Sequence, residues 1–338
     1  MTTTIHDVAR AAGVGIGTVS RVINNSPGVK SATREKVLVA IDQLNFKPHP
    51  IARSMISKRT GSIGIIVPFF THPFFMEVLY GIEKAITPLN QEIVLYNVET
   101  NIQRDHYFSD LPMHRKVDGL LIISLSPDDS FALRFNELGM SVVLIDAYSP
   151  HFTSIVVDNI EGAYHAVKYL IELGHRCIGF INGIKEGDFK FNQANDRLIG
   201  FHRALGEAGI LFEPELIIST EWGRQGGKKA ALQLLSQKKC PTAIFAASDM
   251  IAVGVLEAAK CVGIAVPAEL SVIGFDGIEL SELLELTTIQ QPMRQMGELS
   301  VSKLLEQIEC PQRPPELIRL QTTLIKRNTT ARARSARL

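Results

Sequence analysis

Along residues 1–46 the apolar positions recur at helical spacing. Ile5, Val8, Ala9 and Ala12 stand at i, i+3, i+4 and i+7, which predicts one apolar face of a short helix. Thr4 followed three positions later by Asp7 is a capping pattern at its start. Gly13 closes it, because glycine adopts the left-handed conformation at little cost. A second helix is predicted over about residues 16–24, with Val19, Val22 and Ile23 apolar and Thr18, Ser20 and Arg21 polar. A third begins near Ser31 and turns Val37, Leu38, Ile41 and Leu44 inward. Helix, tight turn, helix and a supporting helix is the layout of a helix-turn-helix DNA reader. Gly13, Gly15 and Gly17 imitate a nucleotide-binding glycine loop. They follow a helix rather than a strand, however, and Ser20 occupies the place of the last glycine.

Residues 47–60 break the pattern. Pro48 and Pro50 end the third helix, since proline lacks a donor and restricts its predecessor. Residues 51–56 can then form about one and a half helical turns. Such a segment is too short to be stable alone, and the competing reading is a linker.

From residue 62 the period changes. Residues 62–67 are a buried-strand run, residues 74–89 are amphipathic, and further strand runs fall at 92–96, 119–123, 142–145, 177–181, 243–247 and 271–275. Near-continuous apolar strands alternating with helices predict parallel sheets covered on both faces. Residues 61–326 are accordingly expected to form an α/β body of two doubly wound parallel-sheet subdomains, with a cleft at the strand carboxyl ends.

Charge sharpens this division. The 338 residues carry a formal net charge of zero. Residues 1–60 hold nine Lys/Arg against three Asp/Glu, residues 61–325 hold 21 against 32, and the last thirteen hold five against none. A small basic head on an acidic body suits a polyanion-binding unit joined to something with another task, although a solvated charged face would look the same. No apolar run reaches the roughly 18 residues of a membrane span. The first residues show neither a basic n-region nor an apolar h-region, so no secretory signal is expected. Cys177, Cys240, Cys261 and Cys310 have no CxxC spacing, which argues against a disulfide framework or a zinc site and suits a cytoplasmic protein.

The body carries little that resembles catalytic machinery. No GxSxG, HExxH, P-loop or kinase signature occurs, and no cofactor or metal is expected. The pair Asp128-Asp129 reads as a helix cap. The polar residues at strand ends read better as ligand hooks: Asp146 after residues 143–145, Ser248-Asp249 after 244–247, and Asp276 after 273–275. A carboxylate in a largely apolar cleft can accept two hydroxyl hydrogen bonds, the usual means of holding a sugar. The competing reading is that these residues cap the helices that follow, most of all Asp249.

The ordered motifs Ile5-His6-Asp7-Val8-Ala9-Arg10-Ala11-Ala12-Gly13-Val14, Thr18-Val19-Ser20-Arg21-Val22-Ile23-Asn24, Thr33-Arg34-Glu35-Lys36-Val37, Lys47-Pro48 and Ala52-Arg53-Ser54 resemble the head of the bacterial lactose-repressor and purine-repressor family. The resemblance continues over essentially the whole chain. It implies that the second helix enters the DNA major groove with Ile16, Gly17 and Arg21 at base edges. Arg21 suits that role chemically, because its fork matches the O6/N7 pair of guanine. Thr4, Thr18, Ser20 and Asn24 would hold phosphates, which fixes register without reading sequence. In the family the segment at residues 51–56 becomes a helix on DNA, and an apolar side chain at the place of Met55 wedges into the minor groove. Two departures stand out: Gly15 replaces the usual capping serine, and Gly17 replaces a longer or hydroxylated side chain, so readout should rest on Ile16 and Arg21.

For the body the resemblance implies the fold of periplasmic sugar-binding proteins, with Arg197, Trp222, Asp276 and Gln291 on pocket positions. Phe74 and Phe75 would line the N-terminal half of the cleft, joined by Asp146 and Ser248. The polar segment at residues 182–196 would sit at the cleft mouth. Residues 327–338 are expected to be a basic flexible tail without the heptads of a tetramer-forming coil. These implications describe a homodimeric transcription regulator, in expectation a repressor. It would bind a palindromic operator under the control of a small ligand, a sugar by preference or a purine. The competing class is a solute-binding protein without regulatory role, against which the basic head counts.

Overall fold

The computed structural model describes residues 3–23, 27–46, 59–89, 91–183, 189 and 191–334. Asn24, Met55 and most of the expected hinge lie outside the described residues. The chain divides into a unit of residues 1–61 and one of residues 62–338.

In the first unit, α1 (Ile5–Ala12), α2 (Ile16–Ile23) and α3 (Ser31–Gln43) pack around Val8, Ala9, Val19, Val22, Val37 and Ala40. Thr4 donates to the Asp7 carboxylate from its backbone N–H at 3.0 Å and from its hydroxyl at 2.7 Å, so the expected cap forms. Gly13 sits at φ 63, and the next amide, that of Val14, returns to the Ala9 carbonyl at 3.0 Å. One expected core position fails: Leu38 is 52% exposed. The inward stripe of α3 runs Val37, Ala40, Ile41, Leu44, at spacings of three and four, and Leu38 lies one residue, about 100°, off it.

The second unit holds two six-stranded sheets. The first has the order β11-β5-β4-β3-β1-β2, built from β1 (Ser62–Pro68), β2 (Glu92–Val98), β3 (Gly119–Ile123), β4 (Ser141–Ile145), β5 (Thr153–Val157) and the late β11 (Leu317–Leu320). The second has the order β12-β10-β9-β8-β6-β7, from β6 (Ile178–Gly183), β7 (Ile217–Thr220), β8 (Ala243–Ala246), β9 (Ser271–Asp276), β10 (Thr287–Gln290) and β12 (Thr323–Ile325). Every pairing is parallel except that of β10 with β12. The expected strands all appear, within one or two residues at most ends. β7 falls on a further strand-like run at residues 216–220, whereas β5, β10, β11 and β12 were not anticipated, being short and, in β11, half exposed.

The chain crosses between the lobes three times: after β5, after β10 and between β11 and β12. The helices of the first lobe begin with α4 (Pro73–Ile86), which carries Phe74 and Phe75, and end with α12 (Met293–Glu309). Between them lie α5 (Asn101–His114), α6 (Asp129–Glu137), α7 (Asn159–Glu172), α8 (Asn192–Glu207), α9 (Arg224–Leu235), α10 (Asp249–Val262) and α11 (Glu279–Leu283). Asp128 caps α6 by accepting from the Phe131 amide at 3.0 Å, as its sequence position implied.

The expected flexible tail is corrected in its described part. Residues 327–334 run along the second lobe: Val272 donates to the Thr329 carbonyl at 2.8 Å and Ala333 to the Leu173 carbonyl at 2.9 Å. Buried His175 lies 3.0 Å from both the Ser271 hydroxyl and the Ala331 carbonyl. Backbone pairing, which a count of arginines does not reveal, ties this segment down. Among the described residues no helix is long and apolar enough to cross a membrane, and no His/Cys/Asp/Glu cluster could hold a metal ion.

Candidate functional site

The carboxyl ends of both sheets face a cavity of about 390 Å³. From the first lobe it is lined by Phe69, Thr71, His72, Phe74, Phe75, Ser124 and Asp146. The second lobe supplies Phe191, Gln193, Arg197, Glu221, Trp222, Ser248 and Asp276. Aromatic walls therefore surround a small set of convergent polar groups, the usual build of a small-molecule site.

Each polar group is there for a local reason. Asp146 follows β4 at φ 56, a left-handed conformation that directs its side chain inward. Its carboxylate accepts from the Ser124 hydroxyl at 2.6 Å and from Gln193 Nε2 at 2.7 Å, a bond that spans the two lobes. Burial pushes its pKa from 3.8 to about 6, against the lowering pull of Ser124, Arg197 and Gln193.

Asp276 ends β9 at φ 129 and is 4% exposed. Gln291 Nε2 donates to its Oδ1 at 2.8 Å, and Arg197 Nη1 lies 3.8 Å from the same oxygen. Burial raises its pKa to about 8; Arg197 pulls it down, while the negative charges of Asp249 and Asp146 push it up.

Arg197, on α8, is 3% exposed. It donates to Asn159 Oδ1 at 3.0 Å and to the Ala247 carbonyl, and its guanidinium lies 3.7 Å from the centroid of the Phe275 ring. Burial lowers its pKa, opposed first by Asp276 and then by Asp146. Ser248 has two positions at once: it borders the cavity and caps α10 by accepting from the Ile251 amide at 3.2 Å.

The walls are rigid. Phe74 and Phe75 meet edge to face at 5.3 Å, and Trp222 meets Phe191 edge to face at 6.4 Å. Three buried polar atoms of the lining have no hydrogen-bond partner among the described residues: Trp222 Nε1, Gln193 Oε1 and His72 Nε2. Burial holds the His72 imidazole below its ordinary pKa. Buried polar groups normally find partners, so such atoms mark places where a ligand can hydrogen-bond.

Of the eight expected pocket residues, Phe74, Phe75, Asp146, Arg197, Trp222, Ser248 and Asp276 come together here. Gln291 does not reach the cavity; it stands behind Asp276 and holds it. Asp249, read as a helix cap, is at the first residue of α10 while Ser248 is the cap, and it too lies behind the lining. Ser124 was missed although it ends β3 as Asp146 ends β4, and the same strand-end reasoning would have found it. Phe191, just before α8, and Gln193, in its first turn, fell in the polar segment at residues 182–196, where spacing carries no signal.

In the head, α2 leaves Ile16 (42% exposed), Gly17 and Arg21 on its open side, with Thr18 and Ser20 half-buried. A Cβ at Gly15 or Gly17 would meet nothing within 4 Å. Neither glycine is required by the packing of the head itself.

A three-helix DNA reader together with a two-lobed body closing on a small-molecule cavity defines a class, and known proteins share both parts. Residues 4–49 match the model of the bacterial regulatory proteins of the lacI family, and residues 167–330 match a periplasmic binding protein-like domain. The HTH-type transcriptional repressor PurR of Erwinia tasmaniensis is 35% identical over 334 residues, 97% of either chain. The lac repressor dimer bound to operator and the anti-inducer ONPF is 28% identical with a TM-score of 0.84, covering 98% of this chain and 100% of that one. A complex of the transcriptional regulator CelR with cellobiose is 30% identical, with a TM-score of 0.72 and coverage of 97% and 99%. A lacI-family regulator from Enterococcus faecium with bound ribose is 29% identical, at a TM-score of 0.72 and coverage of 81% and 100%. The chain belongs to the lacI family of bacterial regulatory proteins. It is a DNA-binding transcriptional repressor of that family and not an enzyme.

Proposed function

We propose that this repressor is controlled by a neutral, polyhydroxylated small molecule, a sugar or sugar derivative, bound between the lobes. The observation that carries this reading is the placing of Asp146 and Asp276, one from each sheet, with Arg197 buried beside them between aromatic walls. Asp146, ionised near neutral pH, accepts from ligand hydroxyls, and Asp276, kept largely protonated there by burial, can donate as well as accept. Arg197 is already held by Asn159 and the Ala247 carbonyl, which disfavours an anionic ligand such as a sugar phosphate. Trp222, Phe74 and Phe75 offer flat apolar faces to the C–H face of a sugar ring. Regulators that hold cellobiose and ribose support this choice. A purine is the second reading, favoured by the PurR relatives and by the same aromatic walls, on which a base would stack.

In this reading α2 enters the major groove, where Ile16, Gly17 and Arg21 meet base edges and Thr4, Thr18, Ser20 and Asn24 hold phosphates, while Met55 wedges into the minor groove. The protein acts in the cytoplasm as a homodimer on a palindromic operator, a reading supported by the lac repressor, which binds its operator as a dimer. A solute-binding protein without regulatory role would have no use for the basic head.

The test is a melting-temperature screen of the full chain with D-ribose, cellobiose, hypoxanthine and guanine, followed by Trp222 emission, since Trp222 is the single tryptophan. A sugar that raises the melting temperature, changes emission and alters operator affinity supports the first reading. A response to the purines alone selects the second. A response to none of the four sinks both.

A further inference from the structure

Asp249 is fully buried, does not border the cavity, and is tied to the turn that carries Asp276. Its Oδ2 accepts from the amides of Gly277 at 2.7 Å and Ile278 at 3.0 Å, and its Oδ1 accepts from the Thr288 hydroxyl at 2.6 Å. Room for it is made by Gly274 in β9, where a Cβ would stand 2.3 Å from Asp249 Oδ1. The amides it holds are the two that follow Asp276.

That turn is strained. Asp276 has φ 129 and Gly277 has φ 76, and a Cβ at Gly277 would lie 2.8 Å from Gln290 Cα. A non-glycine residue in such a conformation costs about 1–3 kcal/mol and persists only where its surroundings over-determine it. Gln291 holds Asp276 from one side, its backbone N–H donating to the Asp276 carbonyl at 2.8 Å and its side chain to Oδ1 at 2.8 Å. Asp249 holds the other side.

We infer that Asp249 is a positioning residue for effector recognition: it fastens the turn at residues 276–278 so that the Asp276 carboxylate faces the cleft. This rests on the cleft being the effector site. Asn can take over the geometry, with its Oδ1 toward the two amides and its Nδ2 toward the Thr288 hydroxyl, which then accepts. Ala cannot, because it leaves two buried amides without an acceptor. The charged groups facing Asp276 are Arg197 at 3.8 Å, Asp249 and Asp146, and Arg327 acts on Asp249. Removing the Asp249 charge while keeping its shape must therefore ease ionisation of Asp276.

The experiment compares the full chain with Asp249→Ala, Asp249→Asn, Thr288→Val, Arg197→Ala and Asp276→Asn. Without ligand, Asp249→Ala should exchange the Gly277 and Ile278 amides about tenfold faster, with those of β6 and β8 unchanged. Asp249→Asn should keep them protected, and the pH inflection of Trp222 emission that Asp276→Asn abolishes should move to lower pH. A scaffold role alone would not move that inflection. Each of the four probes above that binds the wild type should bind about tenfold more weakly to Asp249→Ala and near normally to Asp249→Asn.

If Asp249→Ala does not fold, Thr288→Val, which removes one of the three bonds, should show a smaller increase in exchange at the same two amides. Unchanged exchange in whichever of these two variants folds, or an unmoved inflection in Asp249→Asn, overturns the assignment. Unchanged affinity in Asp249→Ala alongside loss in Arg197→Ala overturns it alone and leaves the cleft reading standing. Unchanged affinity in Arg197→Ala as well, or no probe binding the wild type, overturns the cleft reading and the assignment with it.

Discussion

The head and the cleft place their working residues in opposite environments. On α2 the side chains proposed to read bases, Ile16 and Arg21, are exposed, and the core beneath them is built from Val19, Val22 and their partners. In the cleft, Arg197, Asp146 and Asp276 are buried and face the cavity; Arg197 also donates to the Ala247 carbonyl, and the two carboxyl groups accept from the side chains of Ser124, Gln193 and Gln291. Recognition and stability are therefore separable in the head and fused in the body. A surface side chain can change without disturbing the fold, whereas a buried charge leaves its partners stranded.

The comparison breaks or holds first at Arg197. Arg197→Ala should destabilise the body by about 3–5 kcal/mol in urea unfolding above about pH 8, where Asp276 is ionised and is left buried without its partner. A loss below about 1 kcal/mol would mean that Asp276 needs no partner there and that the site is not fused with the fold.

The next effect is on pH. The carboxyls of Asp146 and Asp276 titrate near 3.8 when unfolded but at about 6 and about 8 in the unliganded fold. Between those values the folded state binds more protons than the unfolded state, so stability falls as pH rises through the window and levels off above it. Asp276→Asn should reduce the slope of the melting-temperature curve from pH 4 upward and flatten it between about 6 and about 8, leaving the fall below about 6 that Asp146 causes, measured by calorimetry. A slope equal to that of the wild type would remove Asp276 from the account.

The head should behave in the opposite way. Arg21→Ala should leave the melting temperature unchanged while weakening operator binding by about 1–3 kcal/mol and sparing random DNA. Comparable losses on both DNAs would reduce Arg21 to a phosphate contact. The smallest effect separates neighbours on α3: Leu38→Ser should stay within about 0.5 kcal/mol of the wild type, and Val37→Ser should not. Equal costs would contradict the exposure of Leu38.

Much of the molecule was legible along the chain. The capping pair Thr4–Asp7, the closing Gly13, the core positions Val8, Val19 and Val37 and the strand runs of both lobes depend on local spacing. The hydrophobic period and the end signals record that spacing directly. The strand-end carboxylates were legible for the same reason, since a doubly wound sheet puts its loops at one edge.

What no local pattern contains is how far-separated segments meet. β11, near the end of the chain, returns to pair with β5 of the first lobe, and residues 327–334 lie against β9 and the end of α7. Gln193 reaches across to Asp146, 47 positions away in the chain. Asp249, by its place at the start of α10 a candidate helix cap, accepts instead from amides 28 and 29 residues further on. Spacing along the chain determined which elements form. The packing of the two lobes decided which buried charge faces the cavity and which stands behind it, because a buried polar group is satisfied by whatever the fold brings within about 3 Å.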